Sequence, residues 1–262
     1  MPTVIAIGNR KGGVGKTSVT LMIAEGLALK GRPVLVIDLD QQRNLTTTLK
    51  VDGPYTIFDV LYAGEAGTLG QAIVPTAWSG ISAIPGDEGL VRIDTEPLMA
   101  AEMRLKSAAW GVEELEAFDY VLLDLPPNLG RLTLNGLIWA DYVLAVTETT
   151  AFSVSGLGEF LETVDKVRRQ PHLNPDLKLL GILPNKFRSQ LGEHQFQLEQ
   201  MREAYGTDVL EPVLPNRTAV LDMQSSKAPL HKLGTRGAAA IIDKVSELVA
   251  TIERRIGHDR SA

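Results

Sequence analysis

Short, fully apolar runs recur along the chain, each closed by a polar or glycine-rich turn and followed by a segment of helical period. Residues 4–7, 34–37, 120–123, 142–146 and 179–183 are such runs, 81–85 is a further strand broken only by Ser82, and this hydrophobicity suits parallel strands covered on both faces. Between them the 3.6-residue spacing predicts helices over 18–29, 44–51, 56–61, 96–118, 128–139, 152–169, 190–205 and 234–256. Thr56 is the expected N-cap of the third, Trp110-Gly111 the expected break in the fourth, and Ser153 or Ser155 the expected cap of the sixth. Residues 209–213 read as a short strand that Pro212 confines to a sheet edge, while 64–80 is glycine-rich and carries no periodic signal. In the last helix Ile241, Ile242, Val245, Leu248, Val249 and Ile252 trace one stripe, expected to dock on the sheet as core. Strands alternating with helices throughout predict an α/β, doubly wound, mostly parallel sheet with helices on both faces, in a single domain over 1–262.

The turns between these elements carry the chemistry. The first strand runs into Gly8-Asn9-Arg10-Lys11-Gly12-Gly13-Val14-Gly15-Lys16-Thr17, and a helix follows from Ser18. Strand, glycine loop and helix form the context of a phosphate-binding loop, in which backbone N–H groups and a helix N-terminus surround an anion. Lys11 to Ser18 (Lys11, Gly12, Gly13, Val14, Gly15, Lys16, Thr17, Ser18) are therefore the candidate nucleotide contacts, with ATP and Mg²⁺ as cofactors. Lys16 is placed to reach the β- and γ-phosphates and Thr17 to ligate Mg²⁺. A glycine-rich turn with incidental lysines would not require two lysines, three glycines and a threonine in this register.

Two further strands end in carboxylates. Asp38 and Asp40, spaced i, i+2 at a C-terminal strand edge, point the same way, toward a nucleotide. Asp124 closes the apolar run 120–123, a Walker B pattern whose carboxylate holds Mg²⁺ or its water shell, and Pro126-Pro127 stop the strand. After the run 179–183 comes Pro184-Asn185-Lys186, and an amide there can donate and accept at once against the edge of a base. A turn-forming Pro-Asn pair explains the same residues without a base.

The loop departs from G-x-x-x-x-G-K-[ST], whose first glycine would fall at Arg10, and reads K-G-G-x-G-K-T with Lys11 at its head. With Asp38-Leu39-Asp40-Gln41-Gln42 and Asp124-Leu125-Pro126-Pro127 it resembles the deviant Walker A ATPases of the ParA/MinD family. Gln41 stands where that family usually has proline, and Arg43 where it usually has glycine. The resemblance covers nearly the whole chain. It implies a partition ATPase: an ATP-dependent homodimer with nucleotides sandwiched between subunits, binding nonspecific double-stranded DNA and stimulated by a ParB-like partner to segregate a plasmid or chromosome. By the same resemblance Lys11 reaches the other subunit's phosphates, and Lys16 acts in cis. Asp40 orients the attacking water, and Asp38 and Asp124 join Thr17 and Asp40 around the metal. Asn185 and Pro215 border adenine. Basic residues of the C-terminal region form the family's DNA face, for which Arg188, Arg217, Lys227, Lys232 and Arg236 are the candidates here. Solvated surface charge accounts for the same five residues.

Composition narrows the alternatives. The chain has 262 residues with a net charge of −6, but residues 1–150 hold 11 Lys and Arg against 18 Asp and Glu, whereas 151–262 hold 15 against 14. An acidic whole with a neutral C-terminal part leaves room for a local basic face. No apolar run approaches the roughly 20 residues of a membrane span, and the immediate first strand leaves no room for a signal peptide. A cytoplasmic, nucleoid-associated protein with no membrane partner is the expectation. A MinD-like membrane oscillator would need an amphipathic terminal helix, and Gly257-His258-Asp259-Arg260-Ser261-Ala262 offers no apolar face. A nitrogenase-reductase-like protein would need cysteines, and there are none. An ATPase positioning a protein cargo instead of DNA shares every motif named above.

Overall fold

A computed structural model describes residues 1–261, the side chains of 151–155 and 258–261 excepted. Ser153, Ser155 and the tail beyond Gly257 therefore lie outside the described side chains. The helix over 151–169 begins after Thr150, whose backbone is extended.

The chain opens with β1 (Thr3–Gly8), α1 (Lys16–Leu29), β2 (Val34–Asp38), α2 (Asn44–Leu49) and α3 (Ile57–Ala63). β3 (Val74–Pro75) and β4 (Ile81–Ile84) precede α4 (Leu90–Thr95) and α5 (Arg104–Ala108). Then come β5 (Tyr120–Asp124), α6 (Arg131–Trp139), β6 (Tyr142–Glu148), α7 (Ala151–Arg169) and β7 (Lys178–Asn185). α8 (Gly192–Tyr205), α9 (Thr218–Ser226) and α10 (Arg236–Ser261) complete the order. The strands form a seven-stranded sheet in the order β3-β4-β2-β5-β1-β6-β7, parallel except for β3.

Alternation within each apolar strand divides the side chains between two cores. Val4, Ala6, Leu35, Ile37, Val121 and Leu123 face the layer built by α3 to α7. Ile5, Ile7, Val34, Val36, Leu122 and Leu144 face the layer built by α1, α9 and α10. Runs without a polar position are what a sheet covered on both sides requires. The stripe of α10 docks as expected: Ile241, Val245, Leu248, Val249 and Ile252 are buried, with Ile242 packed at the margin.

Local chemistry sets several boundaries. Thr56 caps α3 through a capping box: its hydroxyl accepts from Asp59 N at 3.4 Å, and its own N–H donates to Asp59 Oδ2 at 2.7 Å. The helix expected over 128–139 starts only at Arg131, because Asn128 Oδ1 accepts from Gly130 N at 3.0 Å and holds a turn there. The helix expected over 96–118 is instead two short 3-10 turns, at Ala101–Met103 and Glu113–Ala117, flanking α5. Pro97, the left-handed Ala100 (φ 47°) and Gly111 (φ 70°) interrupt it. The strand expected over 209–213 is only a bridge between Val209 and Ile182. Leu210 N and Leu214 N each bond to β7, but Pro212 between them has no N–H to continue a ladder. Neither α4 nor α9 was expected from periodicity, both being too short to show a full apolar stripe.

Gly26 fixes how closely α10 approaches α1. A Cβ there would lie 2.7 Å from Val245 Cγ1 and 2.9 Å from Val249 Cγ2. In an exposed helix Gly→Ala gains up to about 1 kcal/mol in propensity. At Gly26 the overpacking cost of about 1–3 kcal/mol outweighs that gain. Urea unfolding of Gly26→Ala should therefore show a net loss of stability; an increase would mean that the two helices separate without cost.

Candidate active site

The centre of the sheet supplies the site. β1 ends at Gly8, and the loop turns through Gly13 (φ 79°) and Gly15 (φ 92°) into α1, with Gly15 as the residue before the first helical turn. Left-handed backbone costs an ordinary residue roughly 1–2 kcal/mol, which is why glycine stands at both places. The head of the loop is braced by Asn9: its Nδ2 donates to Val146 O at 2.7 Å, and its Oδ1 accepts from Lys11 N at 3.0 Å. Gly12 and Gly13 are exposed, whereas Val14 packs into the core.

Lys16 folds back over the loop, its Nζ donating to Lys11 O at 3.3 Å. Burial lowers its pKa, while the carboxylates of Asp124 and Asp40 act in the opposite direction. Asp124, at the end of the neighbouring β5, accepts from Thr17 Oγ1 at 2.7 Å and from Thr20 Oγ1 at 3.3 Å. It is fully buried, and burial, followed by repulsion from Asp38, pushes its pKa up to about 8. Asp38, its register partner on β2, is pushed up to about 6 by burial. Asp38 is engaged on both oxygens: Oδ2 accepts from Thr46 N at 2.9 Å and Thr46 Oγ1 at 2.7 Å, and Oδ1 from Asp40 N at 3.2 Å. Its carboxylate thus ties the turn after β2 to the start of α2.

A cleft of about 420 Å³ opens over the loop. Gly12, Gly13, Gly15, Lys16, Thr17 and Ser18 line one side, Asp40 and Pro127 another, and Asn185, Pro215, Asn216 and Arg217 a third. Of the proposed metal set, Asp40 and Thr17 face this cleft, Asp124 reaches it through Thr17, and Asp38 does not line it. Among the described residues, no group of three or more His, Cys, Asp or Glu side chains converges as metal ligands. That fits Mg²⁺, which takes one or two protein oxygens and completes its shell with phosphate and water. Thr17, on the cleft, and Asp124, bonded to it, are the side chains that could hold such an ion. Two buried carboxylates with raised pKa values also mark a place where added positive charge is favourable.

Other expected positions separate. Asn185 is buried and donates from Nδ2 to Val14 O at 2.9 Å, so its amide bears on the loop. Arg217 lines the nucleotide cleft at the start of α9, while Lys232 and Arg236 are exposed around the start of α10. Lys227 is half-buried in a left-handed position (φ 55°), and Arg188 is exposed after β7. Arg43 occupies the left-handed turn before α2 at φ 55°, where glycine would be unstrained; its buried Nε has no hydrogen-bond partner. Sequence reading missed Lys186, whose Nζ donates to Gly13 O and pairs with Glu148 Oε1 at 3.0 Å. It also missed Gln224 of α9, which donates to Ser18 Oγ at 3.1 Å.

A glycine loop between the central strand and its helix, with a buried lysine, a hydroxyl and a carboxylate from the next strand, defines a P-loop nucleoside triphosphatase. A family model described as an AAA domain matches residues 2–179. The chain is 32% identical to the sporulation initiation inhibitor protein Soj of Bacillus subtilis over 257 residues, covering 95% of this chain and 99% of Soj. It is also 32% identical to the chromosome partitioning protein ParA of Caulobacter vibrioides, with 94% of each chain covered. Among solved structures it is similar to cobyrinic acid a,c-diamide synthase from Mycobacterium smegmatis with bound ADP and magnesium. That match has 31% identity and a TM-score of 0.74, over 90% of this chain and 98% of that one. The chain belongs to the ParA/Soj family of P-loop ATPases. Among the described residues no helix is long and apolar enough to cross a membrane.

The buried carboxylates give a pH dependence with a definite sign. Both folded pKa values lie above the unfolded value of about 4, so the nucleotide-free native state holds protons that the unfolded chain releases. Their contribution to stability is complete below about pH 4 and is lost as pH rises through about 6 and then about 8. Urea midpoints measured without Mg²⁺ or nucleotide should fall between pH 5.5 and 8.5. Asp124→Asn should flatten the upper part of that fall.

Proposed function

We propose that this chain is a partition ATPase that binds ATP with Mg²⁺, closes into a homodimer around two nucleotides, and in that state binds double-stranded DNA without sequence preference. The observation that carries this reading is Lys11, a second loop lysine placed ahead of the exposed Gly12-Gly13 and half-exposed itself. A loop serving one subunit already has Lys16 in cis. A further cation at the head of the loop, next to the exposed Gly12-Gly13, suits phosphates contributed by a second copy.

Phosphoryl transfer depends chiefly on positioning and charge stabilisation. Lys16 and the loop amides stabilise the phosphates within one subunit, and Asp40 orients the attacking water, a role that its position on the cleft supports. Bound Mg²⁺ would supply charge neutralisation beside Thr17 and Asp124. A site finished only by a second subunit is slow alone, which suits a switch triggered by a ParB-like partner. The whole chain acts as one ATPase domain, associated with the nucleoid when ATP-bound and engaged in segregating a plasmid or chromosome.

The DNA face is assigned to Lys232 and Arg236, exposed about the start of α10, with Arg188 and Lys227 as further candidates. Arg217 lies close by, since a Cβ on Gly237 would sit 3.7 Å from Ala219 Cβ, yet it lines the nucleotide cleft. Dimerisation doubles the contacts, so weak binding by one subunit becomes ATP-dependent through avidity.

Two measurements test this. Lys11→Ala should bind Mg·ATP yet lose the ATP-dependent dimer in analytical ultracentrifugation; a normal dimer with normal stimulated turnover would count against the in-trans role. Arbitrary duplex DNA should bind in ATP and weaken steeply with salt, and Lys232→Glu with Arg236→Glu should reduce that binding at unchanged ATP affinity. Indifference of the wild type to DNA at low salt in every nucleotide state would end the partition reading.

A further inference from the structure

The end of β7 sits against the phosphate loop at two consecutive residues, both on the wall of the cleft. Asn185 Nδ2 donates to Val14 O at 2.9 Å, and Lys186 Nζ donates to Gly13 O. Their fit to the loop is close: a Cβ on Gly15 would lie 2.4 Å from Asn185 Nδ2 and 3.6 Å from Lys186 Cε. Lys186 is itself held. Its backbone is left-handed (φ 54°), and its ammonium pairs at 3.0 Å with Glu148, at the end of β6. Glu148 is the register partner of Asn185, so adjacent strand ends carry all three side chains.

In a trans peptide the C=O and the following N–H point in opposite directions. A donor that fixes the carbonyl of Gly13 therefore also fixes the N–H of Val14, and a donor on the carbonyl of Val14 fixes the N–H of Gly15. Both amides are turned away from β7. Flexible glycines on either side give these peptides little orientation of their own. A loop that must present N–H groups to an anion gains affinity when they are oriented before the anion arrives.

We propose that Asn185 and Lys186, with Glu148 aiming the lysine, are positioning residues that preorganise the loop amides for phosphate, and that Asn185 does not read the base. Lys186 holds Gly13 through its carbonyl, and its charge, kept in place by Glu148, adds to the positive potential of the cleft. This rests on the phosphate-loop reading of residues 8–17, and its test uses a ligand without a base.

The probes are Mg·ATP and inorganic tripolyphosphate, measured by calorimetry on the full chain and on Asn185→Ala, Lys186→Ala, Lys186→Arg and Glu148→Gln. Loss of one orienting hydrogen bond should weaken both probes by about five- to tenfold in each alanine variant. Lys186→Arg should retain most of the affinity, and Glu148→Gln should show a smaller loss in the same direction. Hydrogen exchange at Val14 and Gly15 in the ATP complex should become faster in both alanine variants. If Asn185→Ala weakens ATP but leaves tripolyphosphate unchanged, the residue reads the nucleoside and the proposal is wrong. Unchanged affinity for both probes in both alanine variants also overturns it. A wild type that binds neither probe would remove the phosphate-loop reading first. Should Asn185→Ala fail to fold, the Lys186 and Glu148 variants, which alter partly exposed side chains, carry the same comparison.

Discussion

An anion can be held by backbone amides only if the carbonyls of the same peptides are satisfied elsewhere. That constraint organises this molecule. The loop between β1 and α1 has left-handed glycines at 13 and 15, so its peptides can turn; Asn9, Lys16, Asn185 and Lys186 take up the positions around it. The interior strand β1, flanked by β5 and β6, puts the loop where neighbouring strand ends can reach it. Asp124 arrives from one side, and the support of Val146 O arrives from the other. The parallel sheet therefore acts as a template that delivers carboxylate, amide and ammonium groups to one edge, where the strands end.

The carboxylates show how one edge serves two purposes. Asp38 and Asp124 are register partners, both buried; burial raises both pKa values, and repulsion from Asp38 adds to the rise at Asp124. Asp38 uses both oxygens to hold Thr46 and Asp40 N, and Thr46 Oγ1 in turn accepts from Gly86 N at 2.8 Å. This network fixes the backbone from which Asp40 enters the cleft. The side-chain hydrogen bonds to the Asp124 carboxylate come from two hydroxyls of α1, Thr17 and Thr20. Equivalent residues at equivalent strand ends thus differ in what surrounds them.

Much of this was legible in the sequence, for identifiable reasons. Apolar runs gave the six parallel strands because burial on both faces leaves no polar position to confuse the period. The loop was legible because its glycines, lysines and threonine are contiguous. Asp38 and Asp124 could be located at strand ends, but whether each faces the cleft depends on Thr46 and Thr17, contacts made across 8 and 107 residues. Lys186 was hidden for the same cause: its partner Gly13 lies 173 residues away, and no local pattern marks it. The 96–118 region misled because Leu98, Met103 and Leu105 have helical spacing although Pro97, Ala100 and Gly111 break the backbone between and around them.

Both margins of the sheet end in proline. At one side β3 is only Val74–Pro75, and at the other the stretch from Val209 to Pro215 follows β7 with single bonds interrupted by Pro212. An open strand edge is a template on which another chain can extend the sheet, and a residue without an N–H stops that extension. Copies of this protein therefore meet margins poorly suited to pairing backbone to backbone. Contacts between copies are thereby steered away from the strand edges and toward side chains on the loop and helix surfaces.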